Sequence, residues 1–179
     1  MKKELRKKYL TIRKEINQKD SKDKIICEKF LNMELYKKFD TILAYYPINT
    51  EINIIPIIKR ALNDNKKVAL PKTIDKSGNM EFYFINNLNN LVKGNFEIME
   101  PIMEPKNKVL NYNNALIIIP GICFDLNNYR LGYGKGYYDR FLKKISIMSV
   151  GLCYQECLIN NIEVDEYDQK VDIVLTDKI

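Results

Sequence analysis

The 179-residue sequence contains no histidine and no tryptophan. Without imidazole, Ser-His-Asp and Cys-His nucleophile pairs, HExxH zinc hydrolysis and the 2-His-1-carboxylate iron site are excluded. Any chemistry has to use Lys, Arg, Tyr, Cys, carboxylates, backbone amides or a bound ion. Glycine is scarce at seven, and arginine at five against 24 lysines. The most apolar run, Ala115–Phe124, is interrupted by Pro120 and Gly121. It falls well short of the roughly 20 residues that a membrane span requires, so no membrane association is expected. No CxxC spacing links Cys27, Cys123, Cys153 and Cys157. The opening MKKELRKKYL is charged, with no apolar stretch behind it, so a secretory signal is not expected. The expectation is a cytoplasmic protein with reduced, buried cysteines.

What is present is an apolar fraction of 46%, enough for one core, and a net charge of +6. The charge is unevenly placed. Residues 1–40 hold 13 basic and 7 acidic residues, and the remaining 139 are balanced. The protein is a neutral body with a basic front end, and a monomer is expected.

Leu5, Tyr9, Ile12 and Ile16 recur at helical spacing near the start. Asp20 or Ser21 is placed to cap a second helix through Phe30. Thr41–Tyr46 (TILAYY) reads as a buried strand, Ile52–Leu62 as a helix with Pro56 near its first turn, and Lys67–Leu70 as a strand stopped by Pro71. That β-α-β order implies parallel strands with a helical crossover. Met80–Ile85 is a further strand, and 86–114 is Asn-rich and expected to form loops and short edge strands. Ala115–Ile119 is the clearest buried strand, which Ile122–Asp125 could resume. Tyr137–Ile145 reads as helix, Ile147–Leu152 as strand, Tyr154–Ile159 as short helix and Val171–Leu175 as a last strand. The expected fold is a single α/β domain over 1–179. Its largely parallel central sheet is flanked by helices and preceded by a basic N-terminal helix.

Three of the seven glycines alternate in Arg130-Leu131-Gly132-Tyr133-Gly134-Lys135-Gly136-Tyr137-Tyr138-Asp139-Arg140. A loop between strand and helix, rich in glycine, suits an oxyanion: backbone N–H groups can approach it and the helix N-terminus adds positive dipole. Arg130 and Lys135 supply full charges, and Asp139 suits a site where Mg²⁺ lies between carboxylate and phosphate. Glycine triplets also mark tight turns, and the spacing matches neither a Walker loop nor the dinucleotide fingerprint. The basic helix with a Tyr/Lys/Arg-rich loop also has the outline of a nucleic-acid stacking platform. The neutral body and Asp139 argue against that, and no nucleic-acid partner is expected.

The stretch Pro120-Gly121-Ile122-Cys123-Phe124-Asp125 through the loop to Arg140 resembles the 5-formyltetrahydrofolate cyclo-ligase family, also called methenyltetrahydrofolate synthetase. Four more segments resemble the family in the same order: Lys2-Lys3-Glu4-Leu5-Arg6, Tyr45-Tyr46-Pro47 with Glu51, Ala69-Leu70-Pro71-Lys72, and Gln169-Lys170-Val171-Asp172. Two positions differ from the family's habit. Tyr167 stands where a histidine often precedes the aspartate, here Asp168, and Tyr129 where Gly or Asn commonly precedes the loop arginine.

The resemblance implies conversion of 5-formyltetrahydrofolate and ATP to 5,10-methenyltetrahydrofolate, ADP and phosphate, with Mg²⁺. The folate could be polyglutamated. It implies that Lys2, Lys3 and Arg6 approach ATP, and that Arg130, Leu131, Gly132, Tyr133, Gly134, Lys135, Gly136, Tyr137 and Tyr138 wrap the triphosphate. Lys135 and Arg130 would be the catalytic cations. Arg6, Tyr46, Glu51 and the stretch from Tyr133 to Tyr137 would contact the folate, and Asp139 and Asp172 would hold Mg²⁺. From the residues alone, Lys2 and Lys3 also fit a solvated terminus, Glu51 a helix cap, and Asp172 a solvent-facing strand.

Overall fold

A computed structural model describes residues 1–178. Three helices come first: α1 (Lys2–Glu15), α2 (Lys19–Leu31) and α3 (Glu34–Lys38). Then follow β1 (Thr41–Leu43), α4 (Ile55–Asn63), β2 (Lys67–Thr73), β3 (Met80–Ile85), β4 (Val92–Lys93) and β5 (Met99–Glu100). The second half adds β6 (Ala115–Ile119), β7 (Cys123–Asp125), β8 (Arg130–Leu131), α5 (Tyr137–Lys144), β9 (Met148–Cys153), β10 (Leu158–Ile159) and β11 (Ile173–Thr176).

The main sheet has the order β11-β9-β6-β1-β2-β3, and every pairing in it is parallel except β2 with β3. Its central strands are unbroken apolar runs because helices cover both faces of a parallel sheet. All five residues of β6 and all three of β1 are buried. The chain enters at β1, moves one way to β2 and β3, then returns to β6 on the other side of β1. Between β1 and β6 the direction of winding reverses, and a crevice opens beyond the carboxyl ends of these two strands.

Several boundaries differ from the sequence reading. The first strand stops at Leu43, three residues early. Pro71 does not stop β2, which continues to Thr73. By then β1 has ended, and Pro71 is paired only with Phe82 of β3, so its missing N–H breaks no ladder on the β1 side. Neither Asp20 nor Ser21 caps α2, which follows Gln18 in a left-handed conformation. Asp23 of α2 is instead buried, taking hydrogen bonds from the Tyr154 hydroxyl, the Asn53 amide and Lys19. Residues 123–125 do not resume β6. They join β8 and β10 in a separate three-stranded sheet. Tyr154–Ile159 is no helix but a single 3-10 turn followed by β10.

The small sheet is locked to the main one by Phe124, which is fully buried. Its ring lies where a Cβ on Gly121 would come within 2.6 Å and one on Gly151 within 2.3 Å. Both glycines are therefore required for close approach. Gly151→Ala should lower the unfolding free energy by about 1–3 kcal/mol through overpacking, read as a lower urea midpoint at unchanged m-value. An unchanged midpoint would show that Phe124 can move aside.

Candidate active site

The crevice between β1 and β6 collects most of the residues singled out in the sequence. After β1 the chain passes Tyr45, Tyr46 and the turn that carries Glu51. After β6 it passes Pro120 and Gly121, then the β7–β8 hairpin delivers the glycine-rich loop. The α1 helix lies over both. Lys2, Arg6, Tyr9 and Arg13 are spaced four, three and four apart, so they share one helical face.

Arg6 Nε donates to the Gly132 carbonyl at 2.8 Å, which ties α1 to the loop. Its guanidinium also lies 3.4 Å from where a Cβ on Gly134 would sit. Gly134 (φ +96°) and Gly136 (φ +71°) are both left-handed, and Gly136 leads directly into α5. A β-carbon would strain both positions, so the glycines serve backbone geometry as well as access. Lys135 stands exposed between them, 5.9 Å from the Phe96 ring centroid, with no acidic partner among the described residues. Arg140 donates to the Lys135 carbonyl at 2.6 Å and braces the loop from α5.

Arg130 faces inward. It pairs with Asp139 at 2.9 Å, lies 5.3 Å over the Tyr138 ring, and reaches the Pro120 carbonyl at 3.5 Å. Among the described residues, its Nε is the buried side-chain polar atom with no partner. Leu131 beside it is buried and pairs with Cys123 in the hairpin. Asp139 also accepts from the Gln169 amide at 3.1 Å. Asp172 accepts from Ser149 N and Oγ, both at 2.8 Å. The segment 169–172 is thus fastened at one end to Asp139 and at the other to Ser149, and no hydrogen bond joins the two carboxylates.

Glu51 is 9% exposed and accepts the Ile48 amide at 3.0 Å. It faces Arg13 of α1, Lys19 of α2, Tyr45 after β1, Tyr133 of the loop and Tyr138 of α5. Burial pushes its carboxyl up to about 7, while the Ile48 amide, Arg13 and Lys19 pull the other way. The same burial raises the phenols of Tyr45, Tyr133 and Tyr138. Beneath Glu51 is a cavity of only about 10 Å³, lined by Arg13, Tyr45, Gly121 and Tyr154. That is room for about one water, so it is a packed seat under the site. On the far side of the loop a groove of about 150 Å³ runs past Tyr137, Arg140, Lys144, Tyr112 and Gly78.

Three other sequence-singled residues make no hydrogen bond to the loop among the described residues. Lys2 pairs with Asp165 at 2.9 Å and with Asp168. Burial of its ammonium opposes the charge, yet the two carboxylates hold its pKa above the usual lysine value. Lys3 is exposed, and Tyr46 is half-buried against the core. Arg13 was not among the candidates, although it is buried at 3% exposure and touches three parts of the site. The available signal was its place on the Lys2–Arg6–Tyr9 face.

The donor set suits an anionic phosphate chain: a glycine cradle, an exposed unpaired lysine, and Arg6 against the cradle. For a metal ion the fit is limited. Among the described residues no group of three or more His, Cys, Asp or Glu is assembled for one. Asp139 and Asp172 retain lone pairs beyond their present hydrogen bonds, which matches a cation held mainly by phosphate oxygens.

Comparison with known proteins places the chain in context. The family model described as "5-formyltetrahydrofolate cyclo-ligase family" matches residues 1–177. A Schizosaccharomyces pombe protein named "Probable 5-formyltetrahydrofolate cyclo-ligase" is 30% identical over 174 residues, covering 88% of this chain and 84% of that one. The NMR structure of Aquifex aeolicus 5,10-methenyltetrahydrofolate synthetase superposes with a TM-score of 0.85 at 32% identity, covering 99% of this chain and 90% of that one. A 5,10-methenyltetrahydrofolate synthetase from Mycoplasma pneumoniae gives 0.75 at 25% identity, covering 99% of each.

The raised Glu51 carboxyl has a consequence for stability. Between pH 4.5 and about 7 the unfolded chain releases a proton that the folded protein keeps. The contribution of protonated Glu51 is therefore complete below pH 4.5 and is lost as pH rises through about 7. Glu51→Gln should gain stability relative to the parent protein as pH rises, by up to about 3 kcal/mol at pH 8. Urea midpoints at pH 5 and pH 8 measure this. A difference that does not vary with pH would contradict the assignment.

Proposed function

The chain belongs to the 5-formyltetrahydrofolate cyclo-ligase family, and from that premise we propose that it converts 5-formyltetrahydrofolate to 5,10-methenyltetrahydrofolate, consuming Mg-ATP and releasing ADP and phosphate. The observation that carries the reading is the loop 132–136, which holds unpaired Lys135 between two left-handed glycines with Arg6 against it. The position of that loop after β8, at the crevice between β1 and β6, supports the reading, since open α/β sheets take ligands at such crevices.

The proposed route begins with the formyl oxygen, which attacks the γ-phosphorus of ATP as the bond to ADP breaks. The formyl carbon, now bearing a phosphoryloxy group, is then electrophilic. N10 of the folate attacks it, the N10 proton is lost, and phosphate leaves as the ring closes. No protein nucleophile takes part. The protein's contribution is to position the reactants and neutralise charge on the moving phosphoryl group.

Lys135 would reach that group from the solvent side. The backbone from Leu131 through Tyr138 would wrap the triphosphate, with Lys2, Lys3 and Arg6 above it. Arg130 would add charge from below and hold Asp139 in place. Asp139 and Asp172 would serve the Mg²⁺ that arrives on the phosphates, directly or through water. Arg6, Tyr46, Glu51 and the stretch from Tyr133 to Tyr137 would seat the folate. Glu51, poised near neutrality, can accept a hydrogen bond from the pterin when ionised. We place the protein in the cytoplasm as a single-domain monomer acting on a small molecule.

Mixing protein, 5-formyltetrahydrofolate and Mg-ATP should give the rising absorbance of the methenyl product, with ADP release that depends on the folate. No product and no folate-dependent ADP would overturn the reading. Lys135→Ala should lower kcat by about 100-fold, equivalent to roughly 2.7 kcal/mol of transition-state stabilisation, with its melting temperature unchanged because the side chain is exposed. A variant with near-parental turnover would remove Lys135 from the mechanism.

A further inference from the structure

We propose that Arg13 is a positioning residue that couples the folate seat to the nucleotide loop; the proposal rests on the cyclo-ligase reading above. Its guanidinium is buried and reaches out from α1 in three directions. Nε and one terminal nitrogen both donate to Thr50 Oγ1, at 3.1 and 2.9 Å. The other terminal nitrogen donates to the Gly121 carbonyl at 3.0 Å. The first also donates to the Tyr133 hydroxyl at 3.2 Å.

Each acceptor belongs to a different part of the crevice. Thr50 follows β1 and immediately precedes Glu51. Gly121 follows β6. Tyr133 is the loop residue between Gly132 and Gly134. One planar fork therefore spans the point where the winding of the sheet reverses, and it fixes the turn of Glu51 against the loop that carries Lys135.

The chemistry of the group favours this role over simple packing. No carboxylate lies within salt-bridge distance of Arg13 among the described residues, so the buried cation is satisfied by two hydroxyl oxygens and a carbonyl. A buried charge in that setting is costly unless its hydrogen bonds are all in place. Any movement of the loop that withdraws Tyr133 leaves Arg13 under-satisfied, and any displacement of Thr50 does the same. Each contact thus supports the other through a shared donor. Lysine keeps the charge but has no planar fork, and cannot reproduce the paired bonds to Thr50 while reaching Tyr133.

A double-mutant cycle tests this in the full-length protein, with the Michaelis constants for 5-formyltetrahydrofolate and for ATP measured separately. Arg13→Lys is expected to raise the folate constant about tenfold and the ATP constant far less. Tyr133→Phe should raise the folate constant severalfold. The double variant should match Arg13→Lys within about twofold, since both changes break the same link. Independent, multiplicative effects would overturn the coupling, as would a loss confined to melting temperature with both constants unchanged. If Arg13→Lys fails to fold, Thr50→Val with Tyr133→Phe replaces it. No hydrogen bond joins those two residues, so non-additivity between them reports transmission through Arg13, and additivity overturns it. An active parent protein with additive variants would sink the coupling alone. A parent protein without folate-dependent turnover would sink the cyclo-ligase reading, and the coupling with it.

Discussion

Everything in the site depends on the reversal of winding between β1 and β6. A parallel sheet leaves the carboxyl ends of its strands pointing the same way, and the loops that leave β1 and β6 turn to opposite faces. The gap between them has to be covered, because the strand ends expose backbone carbonyls and the turns carry Glu51 and Gly121. Here the cover is α1, and it is held by cations. Arg6 bonds the Gly132 carbonyl, Arg13 bonds the Gly121 carbonyl, and Lys2 pairs with acids of the 165–168 turn. A helix that presented only its apolar stripe would pack on the core but leave those carbonyls unpaired. The basic charge of the front end is therefore partly structural, as well as suited to a polyphosphate.

The charges buried under that cover constrain one another. Arg130 has Asp139 as a direct partner, so the pair carries no net charge into the interior. Asp139 also takes the Gln169 amide, so one carboxylate orders both the glycine-rich loop and the segment leading to Asp172. Among the described residues Glu51 has no such partner, and burial accordingly raises its proton affinity. The contrast follows from distance: Arg130 touches its carboxylate at 2.9 Å, while Arg13 spends its donors on neutral oxygens and acts on Glu51 only through space. Moving a hydrogen bond from Thr50 to Glu51 would lower the carboxyl but loosen the turn that holds it.

The parts of the fold that were legible in the sequence are those with one strong local signal. Met80–Ile85 and Ala115–Ile119 were placed to the residue because each is dominated by aromatic or β-branched residues and bounded by polar residues or proline. The crossover helix was legible from the helical spacing of its isoleucines, though it begins at Ile55 rather than Ile52, with Pro56 at its first turn. Pro71 misled because its effect depends on which neighbour remains beside β2 at that point, a tertiary fact. The second sheet was not visible either, since Cys123–Asp125 looks the same whether it extends β6 or pairs with β8. In the candidate site, the glycine loop and Glu51 drew attention in the sequence, and Arg13 did not. It lies next to the apolar stripe of Leu5, Tyr9, Ile12 and Ile16, where a charged residue normally reads as the solvated flank.

The scarcity of arginine gives the missing signal. With 24 lysines to five arginines, the chain uses lysine wherever a solvated cation suffices. Four of the five arginines converge on the glycine-rich loop: Arg6 on the Gly132 carbonyl, Arg13 on Tyr133, Arg130 on Asp139, and Arg140 on the Lys135 carbonyl. The fifth, Arg60, lies in an exposed pair with Asp64. Three of their four acceptors there are uncharged oxygens, so within the protein the four set geometry more than they pair charge. They are placed where a rigid fork fixes a backbone or a ring, which a flexible ammonium does poorly. Lys135, the loop cation left free, is the one whose task would be to follow a moving phosphate. On the proposed function a division of labour would result: the planar cations set the loop, Arg6 and Arg130 doing so while facing the phosphates, and the mobile Lys135 follows the transferring group. On the proposed route this would also account for chemistry without imidazole: with the substrate oxygen as nucleophile and phosphate as leaving group, fixed positive charge would do what a proton shuttle does elsewhere.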